Sequence, residues 1–554
     1  MALPIRLQKA LIRYGRSFSF VGLVFATLFF TASVTPSLLP RPLLFQSLLS
    51  GLAIAVGYGI GVGLLAIYRF LEIPVPPDRQ QRVLKSVTVA VVAGVFVYFL
   101  WKMTYWQNSL RELMDLEPLQ SVYPITTAWL AVLFGAMLVA AARTFSLACR
   151  IVHHKLRRYL PRRIAFGLSV TLVGLVIFFI GNGVIAKGLL TAADSFFLQA
   201  DELIDEDVAT PSDPLICGSD ASLVDWDSIG RRGKDFIVGG PTKAALAEFW
   251  ETEVEQPVRV YVGMRSADTK REQARLALEE LQRVGGFDRS VLVIATPTGT
   301  GWLDPGGVDS LEYLHRGDTA IVSMQYSYLP SWITILVDPE RSIESARYLF
   351  DEVYSYWKTL PRDARPKLYL HGLSLGALGS EVSAAWYTIL EDPFHGAVWS
   401  GPPFPSRQWR VVTDSRNSDS PAWLPKFRDG AIVRFTAQKN TLDGGQPWGP
   451  MRNVYIQYAS DPMVFFSPDL VYRHPEWLVG ERGPDVSAHL SWYPVVTFLK
   501  VAFDLPMAIS VPPGHGHNYS PANYIDAWVA VTAPPDWTPE ISTRLADVVQ
   551  PGVP

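Results

Sequence analysis

The chain has 554 residues, of which 49% are hydrophobic, and its formal net charge is −3. This length predicts at least two domains, and a mean hydropathy of +0.16 is high for a water-soluble enzyme. Residues 1–194 contain 19 Lys and Arg against 6 Asp and Glu, whereas the remainder is acidic. We therefore expect a membrane part followed by a water-facing part whose acidic charge excludes nucleic acid as a partner.

Five apolar stretches in the first third are each long enough to cross a bilayer, which takes about 20 residues in a helix. They cover residues 18–39, 48–70, 86–106, 125–149 and 164–190. The predicted domains are a transmembrane helical domain of about five helices over 1–193, a linker or interfacial segment over 194–254, and a catalytic domain over 255–554.

Lys and Arg cluster in alternate connections, at 6–16, 69–85 and 143–163, and are sparse in the others. The positive-inside rule then places the amino terminus in the cytoplasm. Five spans put the catalytic domain outside the cytoplasm, and one span more or fewer would reverse that. We expect the first span to be retained, because the sequence over 31–34 is a poor cleavage site.

The soluble part alternates apolar strand patterns with helical periodicity. Strands are predicted at 258–262, 291–295, 320–323, 368–370, 397–399 and 454–456, with helices at 269–284 and 343–357. Such alternation is typical of a doubly wound, mostly parallel sheet. The two cysteines, Cys149 and Cys217, are expected to stay unpaired, and no metal-ligand cluster or phosphate loop is visible, so we expect no cofactor.

A G-x-S-x-G pattern, Gly372 to Gly376, stands between the predicted strand at 368–370 and a helical segment. This strand, turn and helix context is typical of the nucleophile elbow of α/β-hydrolases, which makes Ser374 the candidate nucleophile. The flanking glycines suit a sharp turn, since side chains there would collide with the neighbouring strand and helix.

A serine nucleophile needs a base, and the base needs a third group to orient it. In this fold the order along the chain is serine, acid, histidine. Asp461 directly follows the stretch Val454–Ser460, which continues the predicted strand at 454–456, and is the candidate acid, although a helix N-cap is the alternative interpretation. His515 and His517 lie in a glycine-rich loop near the end of the chain, and His517 is favoured as the base.

An oxyanion hole requires two backbone N–H donors. Leu375 is expected to supply one, and Thr298 or Gly299, in the glycine-containing loop after the strand at 291–295, the other. The stretch QYSYLPSW at 325–332 is consistent with an acyl-pocket wall, with plain core, or with a membrane-facing patch.

The motifs taken together resemble the bacterial integral-membrane α/β-hydrolase family, in which a multi-span region precedes a hydrolase domain. The matching stretches are VTPSLLPRP, RVYVG, FDRSVLVIATPTGTGW, QYSYLPSW, YLHGLSLGALGSE, YASDPMV and GHGHNY. The resemblance implies a protein of the bacterial cell membrane with a hydrolase fold and Ser374 in the nucleophile position. The loop proposed for the oxyanion hole departs from the His-Gly-Gly-Gly pattern of many esterases.

The resulting expectation is a membrane-anchored serine hydrolase that cleaves a lipid or small-molecule ester outside the cytoplasm through an acyl-enzyme on Ser374. Two alternatives stay open. The same triad would also serve an acyltransferase, and an idle hydrolase domain would leave a membrane scaffold or lipid-handling protein. The sequence indicates no oligomeric state.

Overall fold

A computed structural model describes residues 17–178, 208–384 and 389–549. The chain divides into two compact units, each described separately. The first, here the helical unit, comprises Met1–Gly188, Ser467–Pro475 and Val486–Asp504. The second, here the sheet unit, comprises Leu189–Phe466, Glu476–Asp485 and Leu505–Pro554. Two short segments from the last hundred residues thus group with the amino-terminal helices.

The helical unit begins with five described helices: α1 Phe20–Ser33, α2 Leu43–Phe70, α3 Asp78–Glu112, α4 Pro124–Leu156 and α5 Arg162–Phe178. Of these, α2, α3 and α4 are long and apolar enough to cross a membrane. They coincide with the second, third and fourth predicted spans.

The first predicted span, 18–39, is wrong in its extent, because α1 ends at Ser33 after 14 residues. Pro36 and Pro40 account for the early end, since proline cannot donate the helical hydrogen bond and also restricts the residue before it. In the fifth predicted span, α5 covers the described part and residues 179–190 lie outside the described residues. The count of five spans therefore stays a prediction.

The segment after α1, residues 34–42, is folded against α16 (Val496–Asp504) inside the helical unit. Arg41 forms an ion pair of 2.8 Å with Asp504, and both side chains are fully buried. Asp504 also accepts a hydrogen bond from the Ser37 hydroxyl, and the Lys500 ammonium donates to the Pro36 carbonyl oxygen at 2.8 Å. Because unpaired charges are costly to bury, this network holds α16 in place.

The core of the sheet unit is a parallel sheet that the described residues form from seven strands, in the order β1-β3-β2-β4-β5-β7-β6. The strands are β1 Val258–Val262, β2 Val291–Thr296, β3 Thr319–Met324, β4 Lys367–Leu373, β5 Gly396–Ser400, β6 Val433–Thr436 and β7 Arg452–Ile456. Their nearly continuous burial agrees with a sheet covered on both faces.

Helices of the sheet unit cover the two faces in two packed groups, one containing α9, α12 and α13 and the other α10, α17 and α18. In chain order the helices are α6 Trp226–Ile229, α7 Arg231–Val238, α8 Lys243–Trp250, α9 Lys270–Arg283, α10 Pro305–Leu314, α11 Ser331–Val337, α12 Glu340–Trp357, α13 Leu375–Ser383, α14 Arg407–Asp414, α15 Pro462–Phe465, α17 Pro521–Thr532 and α18 Pro539–Val548. The architecture is the doubly wound α/β-hydrolase fold that the sequence predicts.

All six predicted strands and both predicted helices are present, with ends that differ by at most three residues. Thr269 shows why α9 begins where it does: its hydroxyl accepts from the Glu272 N–H, and the Glu272 carboxylate accepts from the Thr269 N–H. The elements that the sequence does not predict include β6 and the helices α6 to α8. Those three helices lie within residues 194–254, where we expected a connector.

Candidate active site

Ser374 lies at the turn between β4 and α13, near the middle of the sheet. Its backbone angles, φ 59° and ψ −126°, are outside the regions that non-glycine residues ordinarily occupy. The Ser374 N–H donates to the Ser400 carbonyl oxygen at 2.9 Å, which extends the pairing of β4 with β5. The turn therefore has the strained backbone expected of a nucleophile elbow.

Both glycines of the motif are required by close approach rather than by unusual backbone angles. A Cβ atom on Gly376 would lie 2.1 Å from the Thr296 carbonyl oxygen of β2. A Cβ atom on Gly372 would lie 2.4 Å from the backbone of Gly376 itself. These contacts are with backbone atoms that cannot rotate away, so any side chain at either position would displace the turn.

His517 is hydrogen-bonded to Asp461 within the sheet unit. The Nδ1–H of His517 donates to Oδ2 of Asp461 at 2.7 Å, and both side chains are buried. This bond fixes the orientation of the imidazole and leaves Nε2 as the ring nitrogen available to a substrate or nucleophile. Asp461 also caps α15, because its Oδ1 accepts from the Met463 N–H at 2.8 Å. The N-cap and acid interpretations of Asp461 are thus compatible.

Tyr519 is a further partner of Asp461 that the sequence analysis does not identify. Its hydroxyl donates to Oδ2 of Asp461 at 2.7 Å, the same oxygen that accepts from His517. Burial, followed by the charge of Asp461, raises the pKa of Tyr519 well above its usual range, so the hydroxyl keeps its proton. The aromatic residue two positions after the histidine therefore holds the carboxylate in place.

Asp485 braces the turn that carries the acid and the loop that carries the histidine. Its Oδ2 accepts from the Ser460 hydroxyl at 2.5 Å and from the Gln438 amide at 2.7 Å. The Ser460 hydroxyl in turn accepts from the Gly516 N–H at 2.8 Å, next to His517. Asp485 lies in a loop without a predicted strand beside it, and Gly483 and Pro484 before it indicate only a turn, so the sequence offers no means of finding its role.

His515 is in the same loop as His517 and interacts electrostatically with Asp485. Burial raises the pKa of Asp485, and this effect outweighs the lowering by the Ser460 hydrogen bond and by the electrostatic interaction with His515. Among the described residues that line the cavity at Ser374, His517 is present and His515 is not. The geometry therefore brings His517, rather than His515, together with Asp461 and Ser374.

A cavity of about 250 Å³ opens at Ser374 and is lined by both Ser374 and His517. In the described part of the chain, neither Oγ of Ser374 nor Nε2 of His517 has a hydrogen-bond partner, although both atoms are buried. Most of the wall is apolar, formed by Trp302, Trp332, Leu373, Met463, Leu505 and Ile509. Of the QYSYLPSW stretch, Trp332 reaches this wall, whereas Tyr326 and Leu329 are buried in the unit.

The backbone donors expected for the oxyanion hole differ in their present bonding. Leu375 is the first residue of α13, where an N–H has no acceptor within the helix. The Thr298 N–H donates to the Trp302 carbonyl oxygen at 2.9 Å, and the Gly299 N–H donates to the Ser331 hydroxyl at 3.0 Å. Thr298 lines the cavity, so its hydroxyl is a further polar group near Ser374.

This arrangement places the Ser374 hydroxyl and the His517 imidazole at one largely apolar cavity, with the Asp461 carboxylate bonded to the imidazole. The three follow the order along the chain that suits nucleophilic catalysis. An imidazole oriented by a carboxylate can remove the proton of a nearby hydroxyl and return it to a leaving group. The apolar wall strengthens such electrostatic interactions because it excludes water.

Comparison with known proteins gives two family matches, one solved structure and no match among curated proteins. The solved structure comes from work on LipS and LipT, two metagenome-derived lipolytic enzymes, and shares 16% sequence identity with a TM-score of 0.14. The similarity covers 30% of this chain, and this chain spans 60% of that one. Residues 34–241 match the alpha/beta-hydrolase family N-terminus, and residues 258–545, just over half of the chain, match the alpha/beta-hydrolase family. The chain therefore belongs to the alpha/beta-hydrolase family.

Proposed function

We propose that this protein is a membrane-anchored serine hydrolase that cleaves esters, with Ser374 as nucleophile, His517 as base and Asp461 as the acid that orients the base. One observation carries the proposal: Ser374 on its strained turn and the Asp461-bound His517 line the same cavity. Membership of the alpha/beta-hydrolase family is consistent with this chemistry.

In the proposed reaction, His517 Nε2 accepts the proton of Ser374 Oγ as that oxygen attacks the ester carbonyl carbon. The Leu375 N–H stabilises the oxyanion, together with a donor from Thr298 or Gly299. His517 then protonates the departing alkoxide, which breaks the ester bond and leaves an acyl-enzyme on Ser374. Water, deprotonated by His517, releases the acid and restores the serine.

For Thr298 or Gly299 to act through its backbone, the N–H must leave its present acceptor, Trp302 or Ser331. The loop at 297–302 would then rearrange when substrate binds, as catalytic hydrogen bonds often do on formation of the complex. Alternatively, the Thr298 hydroxyl acts as the second donor from the cavity wall. Thr298→Val and Thr298→Ser separate these routes, since only the former removes the hydroxyl.

The apolar walls favour an ester whose acyl or alcohol part is itself apolar, because burial of apolar surface contributes about 25 cal/mol per Å². Trp332 and Ile509, two of the wall residues, are also exposed at 37% and 46%. An amphiphilic ester would place its apolar part against these residues and its carbonyl at Ser374. A lipid or cell-envelope ester fits this description.

The direct test is covalent labelling of the full-length protein with a fluorophosphonate, which reacts with activated serines. Labelling is expected in the wild type and absent in Ser374→Ala. His517→Gln is expected to slow labelling at least 100-fold, by analogy with the loss of a base in serine hydrolases. Ser310→Ala is a matched control, because Ser310 is also buried and, among the described residues, its hydroxyl bonds only to the Gly306 carbonyl oxygen. Labelling that persists in Ser374→Ala would remove this residue from the mechanism.

We also propose that the sheet unit lies outside the cytoplasm, on the basis of alternating positive charge in the connections between spans. Alkaline phosphatase fusions test this arrangement because the enzyme is active only outside the cytoplasm. Fusions after residues 120 and 549 are expected to be active, and fusions after residues 75 and 160 inactive. An inactive fusion at 549 with the other three as expected would mean an even number of spans.

A further inference from the structure

The helical unit contains a second cavity, of about 350 Å³, among α1, α2, α3 and α4. Its walls are almost entirely apolar and include Phe30, Ile54 and Phe96 at one end. Leu23 and Val132 form part of the rim and are exposed at 48% and 51%. In helices that cross a membrane, an apolar cavity with an exposed apolar rim is open to lipid rather than to water.

The opposite end of this cavity carries a cation. Phe18 and Tyr58 line it there, and the Arg143 guanidinium lies 3.9 Å from the centre of the Phe18 ring. Arg143 Nη2 also donates to the Tyr58 hydroxyl at 3.0 Å, and Nη1 donates to the Ser17 hydroxyl at 3.0 Å. These contacts hold a guanidinium, which has five N–H donors in all, at the end of an apolar cavity.

A second cation lies near the beginning of α1, which closely follows Phe18 in the sequence. Lys85 of α3 places its ammonium 5.8 Å from the centre of the Phe20 ring, two residues along the chain from Phe18. Lys85 precedes Phe96 by 11 residues on α3, and Arg143 follows Val132 by 11 residues on α4. At 1.5 Å per residue, Lys85 and Arg143 lie about 16 Å along their helices from Phe96 and Val132, which both line the cavity. That length matches one leaflet, about half of the roughly 30 Å hydrocarbon core.

We propose that this cavity binds one anionic phospholipid, with an acyl chain between the helices and the phosphate at Arg143 and Lys85. The apolar length accommodates the chain within one leaflet, and the two cations stand where the headgroup of such a lipid would lie. An anionic headgroup is selected over a zwitterionic one because the latter brings its own cation, which the guanidinium and ammonium repel.

The positive-inside rule explains why basic residues follow α4 but does not explain the placement of Arg143. Arg150, two turns further along the same helix, is exposed, and its Nε donates only to the Ser146 carbonyl oxygen among the bonds described for it. Arg143 instead folds over Phe18 and Tyr58 at the cavity. The two arginines therefore offer a matched comparison on one helix.

The test uses the full-length protein, purified in detergent and incubated with phosphatidylglycerol or phosphatidylcholine of identical acyl chains, with bound lipid counted by native mass spectrometry. The wild type is expected to retain one phosphatidylglycerol and at least tenfold less phosphatidylcholine. Combining Arg143→Gln with Lys85→Gln is expected to lower retention of phosphatidylglycerol at least tenfold. Ala136→Trp, which fills the cavity from its wall, is expected to do the same, with Ala136→Leu as a milder replacement should the tryptophan variant not fold.

Arg150→Gln and Ala142→Trp are the controls, since they make the same changes at exposed positions of α4 that do not line the cavity. Both are expected to retain phosphatidylglycerol as the wild type does. Equal retention of the two lipids, or undiminished retention when Arg143 and Lys85 are changed, would overturn the proposal. If glycerol phosphate displaced phosphatidylglycerol at equal concentration, the site would bind the headgroup without requiring an acyl chain. That result would also overturn the proposal.

Discussion

Gly401 gives a sharp test of the position assigned to His517. It directly follows β5 with φ +54°, and a Cβ atom added there would lie 2.4 Å from Cε1 and 2.8 Å from Nδ1 of His517. Carbon atoms in contact are about 3.5–4.0 Å apart, so Gly401→Ala must push the imidazole by about 1 Å. A misplacement of about 1 Å near the chemistry can cost about 100-fold in rate.

Gly480→Ala separates this effect from backbone strain. Gly480 also has a positive φ, +78°, but a Cβ atom there meets nothing within 4 Å. Alanine at either position is expected to cost about 1 kcal/mol or more of stability, because L-residues disfavour positive φ. Only Gly401→Ala should also displace the histidine.

The assay is the second-order rate constant for fluorophosphonate labelling, measured alongside thermal unfolding. Gly401→Ala is expected to label about 100-fold more slowly than the wild type, and Gly480→Ala at the wild-type rate. A folded Gly401→Ala protein that labels within about threefold of the wild type would refute the assignment of His517 as the base.

Three other predictions concern groups outside the triad. Asp485→Asn should slow fluorophosphonate labelling about tenfold, because an amide oxygen accepts more weakly from Ser460 and the histidine loop loses its brace; an unchanged rate would contradict this. Arg41→Met should lower the free energy of unfolding by about 3–5 kcal/mol, because it leaves the buried Asp504 without its ion-pair partner. The double variant Arg41→Met with Asp504→Leu should recover most of that stability, as measured by thermal unfolding. Burial raises the pKa of Cys217 to about 12, so maleimide should modify this thiol at pH 8 only after denaturation. The contribution of Cys217 to the free energy of unfolding should fall as pH rises above about 9, because the thiol then ionises in the unfolded chain but not in the folded one.

The elements that the sequence predicts are those with a strong local signal. The strand at 291–295 is a run of apolar residues, and the turn at Ser374 is marked by two glycines, so each is recognisable within about ten residues. In contrast, β6 has only four residues and includes the polar Arg434. The helices α6 to α8 have between four and eight residues each, too short for a clear period of 3.6.

The parts of the site that the sequence does not reveal depend on contacts between distant residues. Asp485 contacts Ser460 and Gln438 across 25 and 47 positions, and nothing near Asp485 distinguishes it from a solvated loop carboxylate. Tyr519 looks like an ordinary aromatic residue beside a histidine until its hydroxyl is found on Asp461. By comparison, Pro36 is a local signal that α1 ends near Ser33, but the apolar residues on both sides of this proline favour a longer span.

The ion pair between Arg41 and Asp504 joins residues 463 positions apart, and this separation has a consequence for biosynthesis. At about 5–20 residues per second, a ribosome needs roughly 20–90 s to add the aspartate after the arginine. Throughout that interval the nascent amino-terminal helices contain a guanidinium whose carboxylate partner has not yet been made. Final packing of these helices is therefore a late event. A chain truncated before residue 504 would contain the Arg41 guanidinium in its helical unit without the Asp504 carboxylate that pairs with it.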